Sequence, residues 1–335
     1  MSSQRKYTLN FIGDVMLGRL MDQLFPRHVH EIEEQRIVQS FMKSQPKLSV
    51  YNPENLNLIN LETSATTHAV KWPDKVFNYR MHPANVSALT VAKAHHAGLA
   101  NNHTLDFSEP GRLETVKIVK GAGIAVARAG ESRGEAIRPA ILCLPASDRG
   151  RDLEVHVWAA LDHPGDRASV ANFRLIDYSQ ATRQHLKALL AASSSSQAAL
   201  KVFSVHWGPN YAWQPSKETR DLAHFLVDEC GVDVRYKDSV IIYGCGDFVD
   251  GYTLLKDFIK MIVVESPTED SGNLRLSTLE MFPMKIDRFQ ERRLVLNEPH
   301  AELITDKISR LSADMGTQGQ MDDREGDLKL FVDLS

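Results

Sequence analysis

The sequence predicts an α/β fold, and three observations carry that prediction. Short apolar runs rich in β-formers alternate with stretches of helical pattern along most of the chain. Polar clusters sit directly after four of these runs, where a sheet presents side chains at its strand ends. Proline and glycine punctuate the joints. With 335 residues the chain can bury a large core, as one α/β domain or as two ordinary ones.

The first strand is Tyr7 to Ile12, which alternates and then stops at Gly13-Asp14, so it delivers a carboxylate at its end. Helical character from His28 to Ser44 precedes a second strand, Leu56 to Leu61, which delivers Glu62. Pro83 to Ala94 reads as a helix and Gly98 to Ala100 as a short buried strand. Then comes Asn101-Asn102-His103-Thr104-Leu105-Asp106, the densest polar cluster of the chain, ahead of a helix from Gly111 to Lys120 and a short run from Ile124 to Val126. Arg138–Leu144 and Glu154–Leu161 are of strand length, 162–167 is a polar loop, Gln180–Ala192 is a helix, and Ser193–Ser196 is a serine linker. Leu200 to Val205 is a strong strand that delivers His206, followed by an aromatic loop with Tyr211 and Trp213. Ser216 caps a helix from Lys217 to Glu229. Two short strands, Val232–Val234 and Val240–Tyr243, lie on either side of Arg235–Ser239. Strands from Phe258 to Glu265 and Asn273 to Met281, a helix from Glu298 to Ser312 and an apolar run from Leu328 to Val332 complete the chain.

Composition excludes several classes of function. A net charge of −4 gives no basic field for nucleic acid, so no nucleic-acid partner is expected. No apolar run is long enough for a signal-peptide core or a membrane span, which predicts a cytoplasmic protein. Cys143, Cys230 and Cys245 are an odd set without paired spacing, so free thiols are expected.

Asp14, Glu62, Asn102 with His103, and His206 each follow a strand-like run, so they can converge at one edge of the sheets. Two carboxylates, an amide oxygen and an imidazole suit a divalent metal such as Mn, Fe, Zn or Mg. Such a site polarises a phosphoryl or carbonyl oxygen and acidifies water. His103 would then donate a proton to a leaving group, while Asp106 either orients its ring or caps the following helix. Trp207 and Trp213 are packing residues or substrate contacts, and Arg19, Asn101, Tyr211 and Asp247 are further substrate-facing candidates. Asp247 reads as a metal neighbour or a turn former.

Five motifs stand in the order and context of the poly-gamma-glutamate capsule-synthesis (CapA-type) family, which the chain resembles from about Leu9 to Phe248. They are Gly13-Asp14-Val15-Met16-Leu17-Gly18-Arg19, Asn60-Leu61-Glu62, Ala100 to Asp106, His206-Trp207-Gly208 and Tyr243 to Phe248. That family is similar to the calcineurin-like metallophosphatases, so the resemblance implies a four-layer αββα sandwich with a metal site at one edge. It also implies a CapA-like domain over residues 7–250, with 251–335 an extension packed on it. Asp14 would hold a first metal, Glu62 would bridge, Asn102 and His206 would bind a second, and His103 with Asp106 would be catalytic. The parent activity implied is metal-dependent hydrolysis of a phosphoester or amide-type substrate, on a small molecule or a polymer. The alternative is a non-catalytic accessory or binding protein for polyanionic polymer synthesis.

The chain departs from the family pattern after Val234. The family carries a Gly-His-His-Pro-His type loop there, and here only Arg235-Tyr236-Lys237-Asp238-Ser239 stands before the next strand. No histidine lies between His224 and His300. At most one weakly bound metal is therefore expected, on the Asn102 and His206 side, with impaired hydrolysis.

Overall fold

In the computed structural model the described residues are 6–19, 22–23, 55–127, 135, 137–145, 152–162, 176–192, 198–209, 212, 214–232, 241–243, 247–249, 255–265, 274–287, 290–295, 297–314, 316–317, 319–322 and 328–333. The expected helix at 28–44, the loop at 163–167, the serine linker, Tyr211, Trp213, Cys245 and the segment 233–240 lie outside them. In chain order come β1 (Lys6–Val15), β2 (Asn55–Leu61), β3 (Ser64–Ala65), β4 (Arg80–Met81), α1 (Ser87–Val91), β5 (His96–Gly98), α2 (Ser108–Gly121) and β6 (Ala125–Ala127). Then follow β7 (Ala140–Leu144), β8 (Leu153–Leu161), α3 (Gln180–Ala192), β9 (Ala198–His206) and α4 (Lys217–Asp228). The last part holds β10 (Asp247–Val249), β11 (Leu255–Glu265), β12 (Arg275–Asp287), β13 (Gln290–Arg293), α5 (Pro299–Asp314), β14 (Gln320–Asp322) and β15 (Lys329–Asp333).

The large sheet is built outward from β1. On one side β2, β5 and β6 run parallel to it, so their C-terminal ends reach the same edge. On the other side the start of β1 pairs antiparallel with β11, and its end, at Asp14 and Val15, pairs in parallel with β10. Strand β12 continues the sheet from β11, followed by β15 and β14. A second sheet holds β7, β8 and β9 in that order, with β8 and β9 parallel.

Side-chain parity sets the layers. Tyr7 and Leu9 of β1 and Leu56 and Leu58 of β2 meet Val155, Val157, Leu200 and Val202 of the second sheet in one core. Ile59 and Leu61 of β2, with Ala97 of β5, pack on the other face against Leu89 of α1 and Val116 and Val119 of α2. Trp158 and Ala160 of β8 face Leu186 and Leu190 of α3 and Leu222 and Leu226 of α4. The order is helix, sheet, sheet, helix, the four-layer αββα sandwich that the family resemblance implies.

Several elements differ from the sequence reading. Strand β1 does not stop at Gly13 but runs through Asp14 to Val15. The helix expected from Pro83 to Ala94 is a 3-10 turn over Pro83–Val86 followed by the short α1, because the backbone turns left-handed at Lys93 with φ 55°. The short strand lies at His96–Gly98 rather than at Gly98–Ala100. Ile241, Ile242 and Tyr243 are not in a strand. Ser216 does cap α4, its hydroxyl accepting from the Thr219 amide. Cys143 and Cys230 are free thiols. No helix among the described residues is long and apolar enough to cross a membrane.

Candidate metal centre

The site begins with an irregularity in β1. The register against β2 pairs Ile12 with Ile59 and then Asp14 with Asn60, so Gly13 is the extra residue of a β-bulge. Before the bulge, Tyr7 and Leu9 face the second sheet and Ile12 faces the helices; after it, Val15 and Leu17 face the helices. The bulge therefore turns Asp14 toward the second sheet, beside Asn60 of β2. Without it the Asp14 carboxylate would point under α1 and α2.

Four strand ends then meet. Asp14, Glu62 and His206 bring one ligand atom each to within 4.8 Å of one another. His206 Nδ1 lies 4.0 Å from Asp14 Oδ1, and His206 Nε2 lies 3.9 Å from Glu62 Oε1. His103 Nε2 faces the same Glu62 oxygen at 3.8 Å. All three members of the group are partly buried, at 26%, 16% and 20% side-chain exposure for Asp14, Glu62 and His206. A divalent cation could thus exchange its water for protein ligands and still keep an open position. Two carboxylates and an imidazole, gathered without a lysine or arginine among them, are a donor set that fits such a cation. The family resemblance gives Asp14 to a first metal and His206 to a second with Glu62 between them, and the structure brings the ligand atoms of all three within 4.8 Å of one another.

Asn60 was not singled out as a site residue by the sequence reading, and it ties the group together. Its Nδ2 donates to Asp14 Oδ1 at 2.6 Å and lies 3.4 Å from His206 Nδ1, while its Oδ1 accepts from Asn101 Nδ2 at 2.9 Å. Asn101 is fully buried, so it does not face a substrate. It also donates to the Leu61 carbonyl and accepts from the His103 amide and the Thr104 hydroxyl. These bonds fix the Asn-Asn-His loop to the end of β2.

The His103 ring is held on three sides. Asp106 Oδ2 lies 2.7 Å from Nδ1, and the Tyr79 ring stacks on the imidazole with centroids 3.9 Å apart. Asp106 has no solvent exposure and also accepts from the Tyr79 amide at 2.5 Å and from the Lys75 ammonium. Lys75 further donates to the Asn102 carbonyl at 2.6 Å and sits 3.2 Å from His103 Nδ1. Helix α2 takes Phe107 as its N-cap without a side-chain bond, so Asp106 orients the ring and is not the helix cap. Lys75 and Tyr79 escape a sequence reading because they lie in an aperiodic stretch 27 or more residues from their partner.

The remaining candidates are placed as follows. Asn102 is half-buried one residue before His103. Arg19 is exposed, with its guanidinium 5.4 Å from the Tyr79 ring centroid and 5.8 Å from that of Phe77, a cation resting on the aromatic wall beside His103. Trp207 packs at the margin of the core under α3 and α4 and also lines a cavity that opens on the centre. Asp247 stands opposite Asp14 in the β1–β10 register.

Comparisons with known proteins agree with the motifs. A probable polyglutamine synthesis accessory protein of Mycobacterium tuberculosis is 28% identical over 91% of this chain and 90% of its own length. The capsule biosynthesis protein CapA of Bacillus anthracis is 25% identical over 84% of this chain and 68% of its own. A calcineurin-like phosphoesterase of Bacillus subtilis aligns with 93% of this chain and 98% of its own at 12% identity, with a TM-score of 0.42. The family model described as bacterial capsule synthesis protein PGA_cap matches residues 8–252, and the chain belongs to that family.

Proposed function

We propose that this protein is a metal-dependent hydrolase of a phosphoester or amide-type substrate, with one divalent cation held by Asp14, Glu62 and His206. The observation that carries this reading is the meeting of those three side chains within 4.8 Å from three separate strand ends, with the His103–Asp106 pair facing the same Glu62 oxygen. When bound, the cation supplies Lewis acidity toward a phosphoryl or carbonyl oxygen. His103 offers its Nε2 to the leaving group, and Asp106 keeps Nδ1 engaged so that the ring cannot turn away. Asn60 keeps the Asp14 carboxylate turned to the centre. Arg19 supplies a positive charge at the rim for an anionic part of the substrate. By the family resemblance Asn102 would be a further oxygen donor.

Three protein ligands are the complement of many catalytic metal sites, and without further imidazoles they hold the cation weakly. The test is elemental analysis after manganese or zinc loading, together with turnover of bis(p-nitrophenyl) phosphate. The expected result is up to one metal per chain, removed by dialysis against chelator, with slow turnover that is lost in His103→Ala. Two tightly held metals would contradict the stoichiometry. No metal and no turnover would instead favour a binding role, the second reading, which the name of the Mycobacterium tuberculosis relative as an accessory protein supports.

A further inference from the structure

A cavity of about 460 Å³ adjoins the centre and is lined by residues of both sheets and, past the β9 edge, of α4. Asp14, Asn60 and His206 are at its mouth, and Leu58, Val157 and Val202 are among its apolar walls. Its volume lies in the range of small-molecule sites. Among the described residues that line it, one buried polar side chain has no part in the centre. His96 of β5 is 2% exposed, lines the cavity, and has no hydrogen-bond partner at either Nδ1 or Nε2. It faces the second sheet because Ala97 beside it faces the helices. Gly98, two residues on, also lines the cavity, between His96 and Asn60.

Two orphaned ring nitrogens in a buried site are costly, and natural proteins rarely leave them so without a ligand or water to meet them. Burial pushes the His96 imidazole down to about 4, so near neutrality the ring is uncharged and presents one N–H donor and one lone pair. No lysine or arginine is among the described residues that line the cavity, so that part of the lining, walled by Leu58, Val157 and Val202, offers an anionic group no counter-charge. We propose that the cavity seats an uncharged, mainly apolar arm of the substrate and that His96 receives a hydrogen-bonding group on that arm, of the amide or alcohol kind. This rests on the reading of the centre as a substrate-processing site and adds that the two ends of the substrate differ: anionic or polarisable at Arg19 and the metal, neutral at His96.

The full chain, with 15N in its histidine rings, is titrated at pH 7.5 with N-propylbutyramide, 1-heptanol and heptanoate. The amide or the alcohol should shift the His96 ring nitrogens saturably, and whichever binds tighter identifies the group. Heptanoate should bind at least about tenfold more weakly. His96→Phe should weaken the polar probes about tenfold, the size of one net hydrogen bond, and His96→Gln should restore most of the loss. Absence of a shift with both neutral probes, equal binding of heptanoate, or unchanged affinity in His96→Phe would overturn the proposal. Because the shift is read in the unaltered chain, a variant that fails to fold leaves the test intact. Manganese uptake is measured on the same samples. Uptake without probe binding sinks this inference alone, and probe binding without uptake sinks the metal reading alone.

Discussion

Asp106 is a carboxylate with no access to water, and its charge is met by the Lys75 ammonium, the Tyr79 amide and the His103 ring. Removing one partner of a buried pair costs more than the pair contributes, because the remaining charge stays desolvated. Lys75→Met should therefore destabilise the protein by about 3 kcal/mol, measured by urea unfolding, and the His103 ring resonances should broaden. His96 gives a second expectation. Its folded-state pKa is about 4 against 6.5 unfolded. Above pH 6.5 the ring is neutral in both states and contributes nothing to pH dependence; as pH falls from 6.5 toward 4 the unfolded chain takes up the proton first and stability drops. The drop amounts to roughly 3 kcal/mol and should be missing in His96→Phe when unfolding is compared at pH 7 and pH 4. Asp14, Glu62, His103 and His206 were legible in the sequence because each stands at the end of an apolar run or within three residues after it. Asn60, Lys75 and His96 were not. The first two act through partners far along the chain, and a histidine inside an apolar stretch reads as ordinary core.

Among the elements, the bulge at Gly13 has the largest consequence for the site. With Gly13 in place, straightening β1 into regular alternation would turn Asp14 to the helix side; deleting Gly13 removes the extra residue instead, so Asp14 alternates directly with Ile12 and still faces the second sheet opposite Asn60. The Gly13 deletion variant should keep its helical circular dichroism and its manganese uptake to within about twofold, and a loss of about tenfold or more would show that the kink of the bulge, beyond side-chain parity, aims the carboxylate. Strands and helices with strong periodicity, such as α3 and β8, stand close to where their patterns put them. The bulge did not show, because Gly13-Asp14 is also what a strand-ending turn looks like. Strands β3 and β4 pair over only two residues each, too few for any alternation to register.

Across the whole molecule, the chain after Val249 is part of the main sheet: β11 borders β1, β12 borders β11, and Leu276, Leu279 and Val332 enter the core between the sheets. A chain cut at Gly251 would leave the start of β1 an open edge above an uncovered core. It should be recovered insoluble or without a cooperative unfolding transition; a soluble truncation with a sharp transition would show that residues 7–250 form an independent domain. The same pairing also has a consequence in time. Strand β1 leaves the ribosome before the other described strands, and one of its neighbours, β11, is some 250 residues behind it. At the usual pace of synthesis, about 5–20 residues per second, the nascent strand waits roughly ten to fifty seconds for the partner that completes it. Until then its exposed edge and apolar face are open to other nascent chains, so the yield of this protein should depend on the chaperones that occupy that interval.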